Sequence, residues 1–430
     1  MSFKSLLFVA LLAPATLLGQ TDIYVRGSGK LFPIALPRLC TMAGDPQVAR
    51  DIPEIVSRDL DLSGYFEVLN PNSFIEAPGK CTAPDATAFT DWTVIGAEGL
   101  VRGEIVAEPS GIRVKMYLLD VQRQKVVLGK EYVGDYSQVS KIAHRWANEV
   151  MKFFTGESGV FGTQIAYSSR VGRFKELFVM DMDGSNVRQL TNEKALALSA
   201  AWDPSGSRLL YTSYRNRQPD LFEVDVFSRA TRQVTKNSAL EVSPKYRKDG
   251  RSILASVSQG GDSDIVLLDN GGRLVQKLTR SNGVIDVSPS YSPDESQIIF
   301  TSNRAGNPQI YVMGADGGGA HRVSFVNSNY CTDPRWSPKG DKIVFVCRAD
   351  AGFNLFIANP DGSSPMQLTS SGDNEDPDWS PDGRYLVFAT TFWSRGTFHL
   401  ALMRADGSGM KELTKSRGGD FEPSWGPLIP

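Results

Sequence analysis

The sequence is poor in the residues from which many enzymatic and metal sites are built. Its 430 residues include only three histidines, His144, His321 and His399, which lie far apart, and four cysteines, none in a Cys-x-x-Cys motif. Zinc sites need clustered cysteine and histidine ligands, so a zinc centre has little to form from. The Gly-x-Ser-x-Gly motif is also missing, which argues against the nucleophile turn of an α/β-hydrolase.

Excess charge and long apolar runs are missing too. The 46 Lys and Arg nearly balance the 48 Asp and Glu, and no basic patch alternates with aromatic residues, so nothing indicates a nucleic-acid partner. One apolar block, residues 6–12, follows Lys4 and precedes the small residues 13–15. This pattern is typical of a cleavable secretory signal, and the block is too short to span a bilayer. We therefore expect a signal peptide over residues 1–20, cleaved between 15 and 20, and an exported protein without membrane insertion; an uncleaved anchor is the alternative.

The sequence is rich in one repeat. Residues 379–383 read Trp-Ser-Pro-Asp-Gly and precede the apolar run 385–388. Related stretches begin at Trp202, Tyr246, Tyr291, Trp336 and, in truncated form, Trp425. These aromatic residues recur every 43 to 46 positions, and a second marker, Leu-Thr or Val-Thr (Val-Ser once), recurs every 44 or 45 positions between 190 and 414. Both periods are typical of four-stranded propeller blades.

One repeat unit predicts four antiparallel strands. Ser-Pro-Asp-Gly favours a chain reversal, because proline presets φ and glycine accepts positive φ. The apolar run after it suits a strand buried on both faces, and a later Asp-Gly turn leads to a short outer strand. The first copy lacks its inner strand. The last copy, residues 421–425, consists of little more than an inner strand. We therefore predict a six-bladed ring closed by the C-terminal strand; an open array of repeats is the alternative.

Residues 22–156 lack the repeat and predict a small α/β domain. Strands are expected at 23–26, 64–69, 99–107, 112–120 and 125–132, and helices at 51–60 and 138–154. The second helix carries Val139, Ile142, Trp146, Val150 and Phe153 on one face. The predicted fold is thus mainly β, a six-bladed β-propeller preceded by a small α/β domain. Its expected divisions are 1–20 (signal peptide), 21–156 (α/β domain) and 157–430 (propeller).

The cysteines allow two pairings. Cys331 and Cys347 flank the turn at 338–340 almost symmetrically, which places them opposite each other on neighbouring strands. A disulfide and two buried free thiols are both compatible with this placement. A bond between Cys40 and Cys81, both in the N-terminal region, is a further prediction.

The order of these parts resembles a known family. A signal peptide, an α/β domain, the Trp-Ser-Pro-Asp-Gly repeat and the ending Pro-Ser-Trp-Gly-Pro at 423–427 together resemble the TolB family of the periplasmic Tol-Pal system. The resemblance implies a non-enzymatic adaptor without cofactor or metal. It further implies binding of the outer-membrane lipoprotein Pal through the propeller and of the inner-membrane protein TolA through the N-terminal segment, in support of outer-membrane integrity and of constriction during cell division.

The resemblance also implies where the two partners bind. The TolA-type segment corresponds to residues 21–33, with an ordinary first strand as the alternative; its candidate residues are Asp22, Tyr24, Arg26, Lys30 and Phe32. The Pal-type site is expected at the propeller mouth, where loops from one blade to the next converge. Its candidate residues are Leu240, Glu241, Ser243, Asp286, Val287, Asn329, Tyr330, Asp333, Glu375, Asp376, Phe421 and Glu422.

Charges at the mouth have more than one interpretation. The acidic residues suit basic side chains of a partner, although a single loop carboxylate is more often simply solvated. Four arginines on the same face, Arg215, Arg304, Arg348 and Arg395, either bind blade carbonyls or take part in recognition. A propeller-containing peptidase and a ligand-binding propeller are the competing functions. A calcium loop at residues 181–184 is less favoured than the Asp-Gly turn that the other blades share.

Overall fold

In the N-terminal domain, two amphipathic helices pack together beside one sheet. The computed structural model describes residues 31–43, 45–77, 82–236, 240–280, 282–349 and 352–428. The helices are α1 (Val48–Ser63), the short α2 (Phe89–Val94) and α3 (Val139–Thr155). The strands are β1 (Phe32–Ala35), β2 (Cys40–Ala43), β3 (Phe66–Val68), β4 (Gly99–Glu108), β5 (Gly111–Asp120) and β6 (Lys125–Gly134). They are ordered β3-β1-β4-β5-β6, with β2 also paired to β4. In the described part of this domain, short 3₁₀ helices span Pro71–Ser73, Pro84–Ala86 and Tyr136–Gln138.

The two long helices follow the apolar period of the sequence. The helix predicted at 51–60 is confirmed and extended at both ends in α1, and that predicted at 138–154 is confirmed in α3. The expected placement of Phe153 is wrong: it is 36% exposed, and Phe154 is buried instead. Both residues follow Val150 by about one turn, but the rings of Phe32 and Phe66 cover Phe154, whereas Phe153 lies at the edge of the buried face. Within the described residues, no helix is both long and apolar enough to cross a membrane.

The rest of the described chain forms six four-stranded antiparallel sheets, the blades. From inner to outer strand, the first blade is β30 (Asp420–Trp425), β7 (Gln164–Val171), β8 (Phe174–Asp181) and β9 (Arg188–Gln189). The second is β10 (Ala197–Trp202), β11 (Arg208–Ser213), β12 (Asp220–Asp225) and β13 (Thr231–Gln233), and the third is β14 (Leu240–Tyr246), β15 (Ser252–Gln259), β16 (Asp262–Asp269) and β17 (Leu274–Lys277). The fourth is β18 (Asp286–Tyr291), β19 (Gln297–Ser302), β20 (Gln309–Gly314) and β21 (His321–Arg322). The fifth is β22 (Cys331–Trp336), β23 (Ile343–Ala349), β24 (Gly352–Ala358) and β25 (Met366–Gln367), and the sixth is β26 (Asn374–Trp379), β27 (Tyr385–Thr390), β28 (His399–Arg404) and β29 (Lys411–Glu412).

The ring closes as the incomplete end repeats predict. Strand β30 pairs antiparallel with β7, with Trp425 opposite Ile165, so the C-terminal strand supplies the inner strand of the first blade. The aromatic residues before the turns link neighbouring blades. Trp202 Nε1 donates to the carbonyl of Ser424 at 3.0 Å, and Trp379 Nε1 donates to that of Arg335 at 3.4 Å. Trp202 and Trp379 thus connect neighbouring blades.

The N-terminal domain packs against part of one face of the ring. This turn face carries the Ser-Pro-Asp-Gly and Asp-Gly turns, and the opposite loop face carries the connections from blade to blade. Contacts with the turn face lie at the first and sixth blades: Arg58 Nε is 3.3 Å from Asp183 Oδ2, and Tyr385 OH donates to the carbonyl of Ser63 at 3.4 Å. Arg384 Nη2 reaches the linker at Glu157 Oε2, at 2.9 Å. These described contacts leave the loop face, which holds the predicted mouth, outside the interface.

The fifth blade contains a disulfide. Cys331 and Cys347 lie opposite each other on β22 and β23 and are bonded, which decides between the two states that the sequence allows. Cys40 is disulfide-bonded as well. Its predicted partner Cys81 lies outside the described residues.

Removing the Cys331–Cys347 bond is expected to destabilise the propeller. Its sequence separation is 16, and a loop of that size constrains the unfolded chain enough for the double variant C331A/C347A to lose about 3 kcal/mol of unfolding free energy. Urea unfolding followed by circular dichroism measures this loss of unfolding free energy, and the wild type with its disulfide intact is the reference. A loss below ~1 kcal/mol would show that strand packing, not the cross-link, holds this pair of strands.

Candidate partner-binding site at the propeller mouth

Every inner strand is interrupted by a β-bulge at the same place. The register shifts in β10, β14, β18, β22, β26 and β30 alike. Each bulge contains one residue with φ between 49° and 55°, namely Ser199, Ser243, Ser288, Asp333, Asp376 and Glu422, which we call the bulge ring. A proline follows five of the six. Proline has no N–H to offer a strand ladder, so it is tolerated where the ladder is already broken.

The bulge ring surrounds the central channel. Its six side chains line a cavity of about 170 Å³. Ala200, Pro244, Pro289 and Pro423, together with the basic residues Lys245 and Arg335, complete the lining. The ring is polarised, because three successive blades supply serines and the next three supply carboxylates. This asymmetry gives the channel a hydroxyl side and an acidic side.

The acidic side is tied together from blade to blade. Ser288 Oγ donates to Asp333 Oδ1 at 2.8 Å, and the backbone N–H of Glu422 donates to Asp376 Oδ2 at 3.2 Å. Glu422 Oε2 in turn accepts from Ser199, through its backbone N–H and through Oγ at 3.1 Å. The carboxylates are therefore held in fixed positions around the channel.

Negative charge on this side is only partly compensated. Burial, and then the neighbouring carboxylates Asp333 and Glu422, raise the pKa of Asp376 well above its usual range, against the weaker effect of Arg335. Burial also raises the pKa of Glu422, although Lys175 and the Ser199 hydrogen bonds oppose the shift. Raised pKa values mean that the ionised carboxylates are less stable here than in water. A positive group close to these carboxylates would stabilise them, whereas burial and the charge of Arg335 lower the pKa of the channel residue Lys245 to about 8.

The structure brings four of the predicted Pal-type residues into one site: Ser243, Asp333, Asp376 and Glu422 all line the channel. Around them Val287, Glu375 and Phe421 are half-buried, while Asn329 and Tyr330 are exposed on the loop before β22. Leu240 and Glu241 belong to β14, but their side chains lie outside the described residues. The assignment of these residues to a partner site stays a prediction.

Asp286 does not join this group. It is fully buried, and its two carboxylate oxygens each accept from Arg304 Nη2 at 3.1 Å. Arg215 is held similarly, 3.0 Å from Glu193 and over the ring of Phe222. Of the two alternatives for these arginines, a structural role is favoured for Arg215 and Arg304, although internal carboxylates rather than blade carbonyls pair with them. Arg348 and Arg395 are exposed on the loop face.

The other candidate site in the sequence is a turn. Asp183 and Gly184 connect β8 to β9, Gly184 has φ 84°, and Asp183 Oδ1 accepts from the N–H of Ser185 at 2.9 Å. Within the described ranges, no group of three or more His, Cys, Asp or Glu side chains is arranged to hold a metal ion. The preference for a turn over a calcium loop at this position is thus supported by the hydrogen bonding of Asp183.

Sequence reasoning missed part of the channel lining, namely Ser199, Ser288, Lys245 and Arg335. A signal for them was present: proline stands two residues before the aromatic residue in five of the six inner strands. Proline inside a strand pattern indicates a bulge or an edge. Reading the residue before each proline as the bulge would have found Ser288.

Comparison with known proteins identifies the family of the chain. The family model described as the TolB beta propeller domain matches residues 151–429, and that of the TolB amino-terminal domain matches residues 23–127. The chain belongs to the TolB family. The two TolB-family models describe a propeller and an N-terminal domain, and neither describes an enzyme.

Individual TolB proteins are similar to this chain in sequence and in structure. The Tol-Pal system protein TolB of Syntrophotalea carbinolica is 33% identical over 206 residues, covering 46% of this chain and 47% of that protein. Its namesake from Anaeromyxobacter sp. strain K is 36% identical over 196 residues, 45% of either chain. The alignments thus span about half of the length of these relatives. The crystal structure of TolB from Acinetobacter baumannii superposes with a TM-score of 0.81 at 26% identity, covering 93% of this chain and 97% of that one.

Proposed function

We propose that this protein is a non-enzymatic periplasmic adaptor of the Tol-Pal system, which binds a Pal-type lipoprotein at the bulge ring and a TolA-type protein through its N-terminal segment. Membership of the TolB family supports the adaptor role. The observation that carries the lipoprotein site is the acidic side of the bulge ring, whose residues stand in the half of their inner strands nearer the face that the N-terminal domain leaves free. Through these two contacts the protein would support outer-membrane integrity and envelope constriction in cell division.

A basic side chain of the lipoprotein is the complementary group. The channel cavity of about 170 Å³ accepts the end of one lysine or arginine rather than a whole domain. A cation between Asp333, Asp376 and Glu422 relieves their mutual repulsion and gains charge-assisted hydrogen bonds. Because both effects appear only in the complex, the site favours a partner that inserts one positive charge along the propeller axis.

The rim of the mouth supplies apolar contacts. Ile285, Tyr330, Phe392 and Trp393 are large side chains of the loop face that stand more than one third exposed. Interfaces commonly combine such aromatic anchors with a charged centre, and the anchors contribute most of the affinity. We expect the lipoprotein to cover these residues around the inserted basic group.

A periplasmic location agrees with the covalent chemistry of the chain. The Cys331–Cys347 bond and the bonded Cys40 suit an oxidising compartment, since cytosolic thiols are kept reduced. The predicted signal sequence at 1–20 provides the route of export. It lies outside the described residues, as do four of the five TolA-type candidates, Asp22, Tyr24, Arg26 and Lys30.

Phe32 has a structural role, which sets where the testable part of the TolA-type segment ends. Its ring lies 4.6 Å from that of Phe154 and 6.1 Å from that of Phe66, and its N–H donates to the carbonyl of Tyr65 at 2.9 Å. Phe32 therefore packs in the α/β domain. Removing it would disturb the fold, so the segment that a deletion can test ends at residue 30.

Deletion of residues 21–30 from the mature chain is expected to weaken binding of the TolA-type protein by ~100-fold or more, because the segment that engages it is gone. Affinity for the Pal-type lipoprotein and the melting temperature should stay unchanged. Calorimetric titration of chains 21–430 and 31–430 with the soluble domain of each partner measures both affinities. Undiminished TolA-type binding would place that site elsewhere, and failure of chain 21–430 to bind either partner would refute the adaptor function.

A further inference from the structure

Three side chains of the N-terminal domain are hydrogen-bonded in series where the domain meets the propeller. His144 Nδ1 lies 2.7 Å from Asp59 Oδ2, and His144 Nε2 lies 3.1 Å from Ser140 Oγ. Asp59 is fully buried and His144 is 4% exposed. The order Ser-His-Asp is that of a hydrolase triad, but the propeller closes over it. A Cβ placed on Gly162 would lie 3.2 Å from the Cβ of His144, so the imidazole is packed against the start of the first blade.

The groups that face His144 come from both domains and are mostly acidic. Helix α1 contributes Asp59 and, beside it, Arg58, while Ser140 precedes His144 by one turn of α3. The first blade contributes Asp181 and Asp183, whose charges both act on the imidazole. Arg58 pairs with Asp183, but its side chain is half exposed and therefore screened by water. His144 is the buried cationic group that can balance these three carboxylates.

We propose that His144 is a pH-dependent link between the domains: its protonated ring joins Asp59 of α1 to the acidic end of the first blade, and deprotonation loosens the N-terminal domain from the propeller. This inference does not depend on which partners the protein binds. It rests on the hydrogen bond between His144 and Asp59, on the packing of His144 against Gly162, and on the charges of Asp181 and Asp183 on the blade side of the boundary.

The pKa shifts of His144 and Asp59 agree with their burial and with the hydrogen bond between them. Burial alone would lower the pKa of His144, but the hydrogen bond to Asp59 and the charges of Asp59, Asp181 and Asp183 raise it above 6.5. Burial raises the pKa of Asp59 to about 6, so above that pH this carboxyl is mostly ionised and can pair with a protonated imidazole. A histidine pKa that is higher in the folded than in the unfolded chain stabilises the fold fully below ~6.5, and this contribution is lost as pH rises through the folded value. The linked state is therefore favoured between about pH 6, where Asp59 ionises, and the pKa of His144.

Nuclear magnetic resonance of the full chain tests the link directly. With only three histidines, ¹³C-labelled rings give three signals, which single His→Gln variants assign. We expect the pKa of His144 to lie above 6.5 and to fall by at least ~0.5 in Asp183→Asn, because that carboxylate lies across the domain boundary. Asp361→Asn, at an equivalent Asp-Gly turn of the fifth blade, should leave it unchanged. An unaffected His144 in Asp183→Asn would confine the pair to the N-terminal domain and overturn the proposal.

The consequence for docking is measured by small-angle X-ray scattering and by melting temperature between pH 5.5 and 9. The wild type should expand and lose melting temperature as His144 deprotonates, whereas His144→Gln, which keeps a hydrogen-bond donor but no charge, should lack that step. His399→Gln is the matched control: His399 pairs with Glu412 at 2.6 Å within one blade. A step that persists in His144→Gln would assign it to another group. The Asp183→Asn measurement retains His144 and decides the question even if His144→Gln does not fold.

Discussion

The double variant Asp376→Asn, Glu422→Gln is expected to bind the Pal-type lipoprotein about 1000-fold more weakly than the wild type and to melt at a higher temperature. The loss of affinity is expected because truncating one side of a buried charge pair costs 2–5 kcal/mol or more. Both replacements keep an oxygen that accepts the hydrogen bonds from Glu422 N–H and from Ser199. The variant therefore removes charge and leaves the geometry of the channel in place.

The gain in stability follows from the raised pKa of both carboxylates. A carboxyl group whose pKa is higher in the folded chain destabilises the fold when it is ionised, and the penalty is complete above the folded pKa. Amides carry no such penalty at neutral pH. For the same reason, lipoprotein binding by the wild type should weaken as pH falls through the pKa of Asp376, since protonation removes the charge that the partner's cation needs.

A matched control variant is expected to change the melting temperature in the opposite direction. Asp294 lies in the Ser-Pro-Asp-Glu turn of the fourth blade on the turn face, where hydrogen bonds from Ser292 and Ser296 lower its pKa to about 2. Asp294→Asn should lower the melting temperature slightly and leave lipoprotein affinity unchanged. Titration calorimetry of both variants measures the affinity for the lipoprotein, and thermal unfolding measures the melting temperature. Unchanged affinity in the channel variant would move the site away from the bulge ring, and a lower melting temperature would make its carboxylates structural.

The architecture of the propeller could be predicted from the sequence because each blade repeats the same local signals. Turn residues fix where strands end, the apolar runs fix which strands are buried, and the incomplete first and last copies fix how the ring closes. The short helix α2 (Phe89–Val94) escaped prediction, since six residues are too few for a helical period to show. Strand β2 (Cys40–Ala43) was missed as well, and at four residues it too is short for alternation to identify.

The site was harder to predict than the fold. Asp286 and Asp333 are both acidic and belong to corresponding inner strands, yet one is sealed in an ion pair with Arg304 and the other lines the channel. Alternation along a regular strand assigns side chains to faces, but a left-handed residue at a bulge resets that alternation. Charge reversal at Asp286 would consequently break the fold rather than probe the partner site. The positions of the bulges determine which residues line the channel, and the repeated proline is the sequence signal for those bulges.

Trp425→Ala is expected to cost about 4 kcal/mol of propeller stability, which is within the usual loss for a buried tryptophan. Trp425 is 7% exposed, its ring stacks on Tyr385 at 6.4 Å, and Nε1 donates to Thr163 Oγ1 at 2.9 Å. It belongs to the core that extends from the N-terminal domain into the first and sixth blades. A cavity here therefore weakens both ring closure and domain docking.

Urea unfolding of Trp425→Ala, Trp425→Phe and Trp393→Ala separates these contributions. Trp393 is 39% exposed on the loop face, so its removal should change stability by no more than ~0.5 kcal/mol. Trp425→Phe keeps most of the apolar volume but loses the bond to Thr163, and its loss should fall between the other two. A loss below ~1 kcal/mol in Trp425→Ala would mean that the ladder between β30 and β7 closes the ring without this side chain. With the expected loss, Trp425 adds substantially to the closure that the ladder between β30 and β7 provides, because both domains enclose its ring.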